Sequence, residues 1–307
     1  MTDTAETARI ALEDGGLVIM PTETVYGLAA DAGNPLAVAR IFEAKGRPRF
    51  NPLIVHVTGV DQARTFAALD DRALRLIEVF WPGPLTIVAP VLDPGAVCDL
   101  ARAGLDTVAV RAPRHPIAQA LIAAFGRPIV APSANRSGRP SPTTFADAVG
   151  ETGASAAAGL DGGPCAVGLE STVVALLEEP PRLLRPGAVT RSQIESLIGP
   201  LSEAAADARR SPGRMTRHYA PSAPVRLDAP SARPGEAYLA FGPAPAEPWV
   251  FNLSPSGDLV EAAANLFTLL RAADRMCPAA IAVAPIPTQG LGEAINDRLR
   301  RAAGHVG

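Results

Sequence analysis

Six polar clusters stand where short apolar runs end, and their residue types limit the chemistry open to the chain. Pro21–Thr22–Glu23–Thr24–Val25–Tyr26–Gly27–Leu28 offers hydroxyls and loop amides to a small zwitterion, although it reads equally as a turn with an N-capping threonine. Lys45–Gly46–Arg47–Pro48–Arg49–Phe50–Asn51–Pro52 places three cations within five residues. An arginine fork and a lysine point charge suit a polyphosphate, and a solvated basic loop is the alternative. His56 shares a strand face with Ile54, opposite Val55 and Val57, either as a ligand contact or as a satisfied structural residue. Thr107, Ala109 and Arg111 share another strand face, where the terminal Arg can bind a carboxylate or form a structural salt bridge. Ala131–Pro132–Ser133–Ala134–Asn135–Arg136–Ser137–Gly138, continuing to Ser141, supplies hydroxyls and an amide for phosphate or ribose oxygens. Gly168–Leu169–Glu170–Ser171–Thr172 and Leu184–Arg185–Pro186–Gly187 complete the set.

The usual nucleotide and hydrolase motifs are missing. There is no GxxxxGK loop followed by Ser or Thr, no GxGxxG after a first strand, no HExxH and no GxSxG elbow. Any nucleotide site is therefore built from scattered loops at strand ends, where α/β proteins tend to hold ligands.

The elements that must position these clusters alternate. Strands are expected at Leu17–Met20, Leu53–Val57, Leu85–Val91, Thr107–Val110, Pro128–Ala131 and Thr172–Leu177, which gives α/β layering. Asn34 and Pro35 open a helix over Ala37–Ala44, a second runs from Pro116 to Gly126, and the Thr190–Gln193 capping box opens a third that stops at Gly199. Leu201–Pro224, rich in Ala, Arg, Ser and Pro, reads as a linker. Beyond it, strands at Ala237–Phe241, Trp249–Leu253 and Ile281–Ala284 surround a helix over Asp258–Met276 with Leu259, Ala262, Ala263, Leu266, Leu270 and Ala273 on one stripe. A last helix spans Gly292–Ala303. The expected division is 1–199 catalytic, 200–224 linker and 225–307 a second small domain.

Bulk properties narrow the class. The 307 residues, 48% of them hydrophobic, can build a substantial core. No run approaches the ~20 apolar residues of a membrane span, and Met1–Asp14 lacks an apolar leader core, so a cytoplasmic protein without membrane contact is expected. Net charge is −3 and the pI about 5.9, so no global field draws nucleic acid. Cys98, Cys165 and Cys277 lack zinc-site spacing and read as small buried or semi-buried thiols.

Taken in order, PTETVYGL, the Lys45-x-Arg47 pair with Asn51-Pro52-Leu53, the Ser133-x-Asn135 pair, GLESTV and LRPG resemble the YrdC-like threonylcarbamoyl-AMP synthases over about Ala8–Gly199. Arg217–His218–Tyr219–Ala220–Pro221 and the trailing segment resemble the two-domain branch. The resemblance implies a twisted mixed α/β sheet with a concave, positively charged cleft, plus a small Rossmann-like C-terminal domain. It implies condensation of L-threonine, bicarbonate and ATP, with Mg²⁺ arriving on ATP and no tightly bound organic cofactor. The products are threonylcarbamoyl-adenylate and pyrophosphate, and a separate transferase complex then modifies tRNA beside the anticodon, with at most a weak tRNA contact here. Carried over, Thr24, His56, Arg111, Ala131 (through its backbone) and Ser171 contact threonine. Lys45, Arg47, Asn51, Thr107, Ser133, Asn135, Ser141, Arg185 and Tyr219 contact ATP, with Tyr219 closing over the nucleotide. Two rivals differ in observable ways. A hydrogenase-maturation carbamoyl transferase carries additional acylphosphatase and zinc modules not found in this sequence, and an RNA-binding module has a steep salt dependence.

Overall fold

The computed structural model describes residues 3–48, 50–203 and 219–304. Arg49, and residues 204–218 with Arg217 and His218 of the expected linker, lie outside them. The first part of the chain forms α1 (Ala5–Glu13), β1 (Val18–Met20), β2 (Gly27–Asp31), α2 (Pro35–Lys45), β3 (Ile54–His56), α3 (Val60–Arg64) and α4 (Asp71–Phe80). Next come β4 (Leu85–Pro90), α5 (Asp99–Arg102), β5 (Thr107–Arg111), α6 (Pro116–Phe125), β6 (Ile129–Val130), α7 (Phe145–Thr152) and β7 (Ala158–Gly159). They are followed by β8 (Thr172–Ala175), β9 (Arg182–Arg185), α8 (Arg191–Ile198) and β10 (Ser202–Glu203). The last part holds β11 (Val225–Arg226), β12 (Glu236–Ala240), β13 (Val250–Asn252), α9 (Leu259–Arg275), β14 (Ala280–Val283) and α10 (Leu291–Ala302).

Local signals set many of these boundaries. Asn34 Oδ1 accepts from the N–H groups of Leu36 and Ala37 at 3.0 and 3.2 Å, and Pro35 opens α2. Gly46 ends it in the left-handed region, φ 59°. The capping box at Thr190 forms in full before α8. Several elements went unread: α1, α4, α7 and β2. The strand β2 begins at Gly27, inside the first polar cluster, so that cluster is only partly loop.

Among the described residues the strands form two sheets. The large one is mixed, in the order β10-β9-β8-β4-β5-β3-β6-β2-β1-β7. The small one, β11-β14-β12-β13, is wholly parallel. The edge strand β10 falls in the stretch read as linker and pairs with β9.

Register decides which side chains share the cleft. His56 pairs with Arg111 and Ile54 with Ala109, which puts both expected site residues of β3 and β5 on one face. Val55 and Val57 turn to the opposite side and join the main apolar core. Ala109 pairs with Val88 of β4, Thr86 of β4 with Val173 of β8, and Val173 with Arg185 of β9, extending the same face across five strands. A second core is shared between the two sheets' regions: Val25, Leu169 and Tyr219 pack with Leu266, Phe267, Ile295 and Leu299.

Candidate active site

The cleft on this face has a cavity volume of about 50 Å³ open to the centre of a water-sized sphere. Thr24, His56, Arg111, Ala131 and Ser171 line it, together with Arg47, Ser133, Arg185 and Tyr219. The remaining expected residues, Lys45, Asn51, Thr107, Asn135 and Ser141, are buried and do not line it. Thr107 stands at the opposite end of β5 from Arg111, ~13 Å away at about 3.3 Å per strand residue.

Arg111 is already committed. Nε donates to Gly83 O at 3.1 Å, Nη1 to Thr24 Oγ1 at 2.9 Å and Nη2 to Glu23 Oε1 at 2.6 Å. Glu23 also accepts from the Arg114 N–H at 3.0 Å. Burial alone would raise the Glu23 pKa, but the Arg111 charge and these donors outweigh it and hold the carboxyl below its usual range. Arg111 therefore forms a buried salt bridge, and one N–H on each terminal nitrogen is not used in these contacts. Glu23 was not singled out from the sequence, because nothing local pairs it with a residue 88 positions away.

His56 Nδ1 lies 3.1 Å from Ile54 O. A carbonyl only accepts, so Nδ1 carries the proton and Nε2 presents a lone pair. Burial, then the Arg111 charge, push the imidazole pKa down to about 3, so the ring is neutral. Ser171 is fixed from two sides: its hydroxyl lies 2.7 Å from Thr86 Oγ1, and Arg185 donates to its carbonyl oxygen at 2.9 and 3.1 Å. Thr86 is a further residue that sequence reading missed. The N–H of Ala131 is engaged with Ile54 O at 3.2 Å, which leaves the carbonyl as its backbone contact.

The basic cluster differs. Lys45 Nζ sits between the carbonyl oxygens of Ser133 and Asn135, and burial with the Arg47 charge holds its pKa well below the usual lysine value. Arg47 donates to Pro52 O at 3.3 Å, and burial brings its pKa down to about 10. Asn135 Nδ2 donates to Arg136 O and Arg139 O at 2.8 and 2.9 Å. Yet Arg47 Nε, Asn51 Oδ1 and Asn135 Oδ1 are buried with no hydrogen-bond partner among the described residues. Ser141 donates to Glu170 Oε1 at 2.5 Å, so its hydroxyl is directed to an acid rather than to the cleft. Tyr219 is buried at φ 63°, its ring 5.4 Å from that of Phe267.

Two motif glycines are required by close backbone approach. A Cβ on Gly168 would stand 2.5 Å from Ala264 Cα of α9, and one on Gly187 would stand 2.4 Å from Thr172 N.

The chain matches two family models. Residues 10–187 match the Sua5/YciO/YrdC model described as "Telomere recombination", and residues 189–304 match "Threonylcarbamoyl-AMP synthase, C-terminal domain". A threonylcarbamoyl-AMP synthase of Bacillus subtilis is 39% identical, covering 97% of this chain and 92% of its own. One from Pyrococcus abyssi is 42% identical over 96% and 92%. The crystal structure of P. abyssi Sua5 complexed with L-threonine superposes with a TM-score of 0.92 at 39% identity, covering 98% of this chain and 94% of that one. The chain belongs to the YrdC-like threonylcarbamoyl-AMP synthase family, in the branch that carries the C-terminal domain.

Proposed function

We propose that the protein is an L-threonylcarbamoyladenylate synthase, a nucleotidyltransferase that joins L-threonine, bicarbonate and ATP. The observation that carries this reading is one cleft lined jointly by Thr24, His56, Arg111 and Ser171 and by Arg47, Ser133 and Arg185. The spare N–H on each terminal nitrogen of Arg111 matches the two oxygens of an amino-acid carboxylate. The neutral His56 offers Nε2 as an acceptor to the threonine hydroxyl or nitrogen. Thr24 and Ser171, already oriented by Arg111 and Thr86, complete that end, with the Ala131 carbonyl.

Lys45, Arg47 and Arg185 supply the cations for a triphosphate in this reading, with Ser133, Asn135, Asn51, Thr107 and Ser141 as its polar partners. Tyr219 forms the wall against the nucleotide. Among the described residues no group of His, Cys, Asp or Glu is arranged to hold a metal. The buried acceptors Asn51 Oδ1 and Asn135 Oδ1 suit a hard cation brought in on ATP oxygens, so Mg²⁺ enters as part of the substrate.

In this reading the threonine amine and bicarbonate form a carbamate with loss of water. A carbamate oxygen attacks the α-phosphorus, and the bridging bond breaks to release pyrophosphate. The nucleophile is ionised already, so the residues position two anions and offset their repulsion. That matches a site of Arg, Lys, Ser, Thr and Asn without a Ser-His-Asp set. The adenylate then passes to a transferase complex acting on tRNA. The domain reading (1–199, 200–224, 225–307) belongs to the same proposal, as does a cytoplasmic setting; no described helix is long and apolar enough to cross a membrane. The test is pyrophosphate release from ATP, which should require L-threonine and bicarbonate together. Equal release with either omitted overturns the assignment.

A further inference from the structure

The last helix carries its charges in an unusual place. Arg298 falls on the same stripe of α10 as Ala294, Ile295, Leu299 and Ala302, and all five side chains are buried. Its Nε donates to Glu170 Oε2 at 2.8 Å, and Nη1 donates to Pro186 O at 2.9 Å and Asp297 Oδ2 at 2.7 Å. The guanidinium carbon lies 5.4 Å from the Tyr219 ring centroid, within cation–π range. Nη2 is buried with no partner among the described residues. Glu170 and Tyr219 line the cleft, so this side chain of the C-terminal region stands directly behind two of its walls.

The position of Arg298 is set by packing. Its helix contributes Ile295 and Leu299 to the core shared with Val25, Leu169 and Tyr219. Thr143 and Thr268 hydroxyls meet at 2.7 Å, and Arg271 of α9 donates to Glu151 at 2.9 Å across the same boundary. Gly168 admits the α9 backbone against the motif that holds Glu170.

Charge sorting gives Arg298 a task. Glu170 is a buried acid that lines the cleft together with Arg47 and Arg185, in a cleft that must take a polyanion. With Arg298 and Ser141 occupying its two oxygens, Glu170 leaves Arg185 directed at Ser171. A buried carboxylate deprived of one cation recruits another. Arg185 is the cation that shares this cleft wall with it. Its capture would take an arginine from the phosphates.

We propose that Arg298 is a positioning residue of the nucleotide subsite, holding Glu170 so that Arg185 stays available to ATP, and that the C-terminal domain is thereby part of that subsite. The proposal rests on the ATP reading above. Full-length protein titrated with a non-hydrolysable ATP analogue tests it by a double-mutant cycle. R298M should weaken binding by about tenfold or more, as expected when one partner of a buried charge pair is removed. E170Q in the R298M background should restore affinity to about threefold or better of E170Q alone, since the capturing charge is gone. L-threonine binding without nucleotide should change much less. If R298M does not fold, R298K takes its place, with a smaller loss that E170Q again corrects. Wild-type affinity in the Arg298 variant, or a loss that E170Q leaves uncorrected, overturns the proposal. A wild-type chain that binds no analogue overturns the functional reading itself.

Discussion

The two ends of the cleft are organised in opposite ways. At the end assigned to threonine, Arg111 is bound to Gly83, Thr24 and Glu23, His56 to Ile54, and Ser171 to Thr86 and Arg185. At the end assigned to ATP, Arg47 Nε, Asn51 Oδ1 and Asn135 Oδ1 are buried and unpaired among the described residues. An unsatisfied buried polar group costs about 1–3 kcal/mol, so the nucleotide end gains most from its ligand. The threonine end is preorganised, and mutations there should act on stability as well as on binding.

The largest effect should come from the preorganised end. Glu23→Gln removes the countercharge of a buried arginine, and breaking such a pair costs roughly 3–5 kcal/mol. Urea unfolding reads this directly; a loss below about 1 kcal/mol, the range of an exposed pair, would mean that the brace is not structural. At the other end, Lys45→Ala or Arg47→Ala should lower turnover by about 10²-fold or more, the usual cost of one preorganised donor. The double variant should lose less than the product of the two, because both serve one anionic group. Wild-type turnover in either single variant returns the loop to a solvated basic segment.

A pH series sharpens the contrast further. His56 has a folded pKa of about 3 against an ordinary 6.5. Below pH 6.5 the unfolded chain takes up a proton that the native state refuses, so this stability is full above 6.5 and falls as pH drops toward 3. The slope is about 1.4 kcal/mol per pH unit, or about 2 kcal/mol between pH 6.5 and 5. His56→Gln should lack this part of the acid loss, and identical losses in both proteins would remove His56 from the explanation. The smallest effect concerns substrate choice. Threonine should be preferred to serine by about 1–3 kcal/mol, the value of one methyl group in a pocket. Competition between the two amino acids measures it, and no preference at all would separate Thr24 and His56 from the pocket.

Local patterns foretold much of the frame. Asn34–Pro35, the Thr190 box and the long α9 stripe became helices near their expected limits, because caps and apolar periodicity act over a few residues. Alternation around His56 and along Thr107–Arg111 correctly gave the faces on which these side chains lie. The strand β2 was hidden because its small residues, Gly27–Leu28–Ala29–Ala30, carry little strand preference and gain their pairing only from β1 and β6.

What the sequence determined by itself was the order of the motifs and nine of the residues that line the cleft. Which groups pair was left to the tertiary structure. Thr86 meets Ser171 across 85 positions, Arg111 meets Glu23 across 88, and Arg298 meets Glu170 across 128. Those partners are chosen by sheet register and by the docking of α9 and α10, which no short-range preference encodes. Arg298 shows the limit most clearly: on an amphipathic helix rich in arginine it reads as one more surface charge, and only packing against Leu169 and Tyr219 places it behind the cleft.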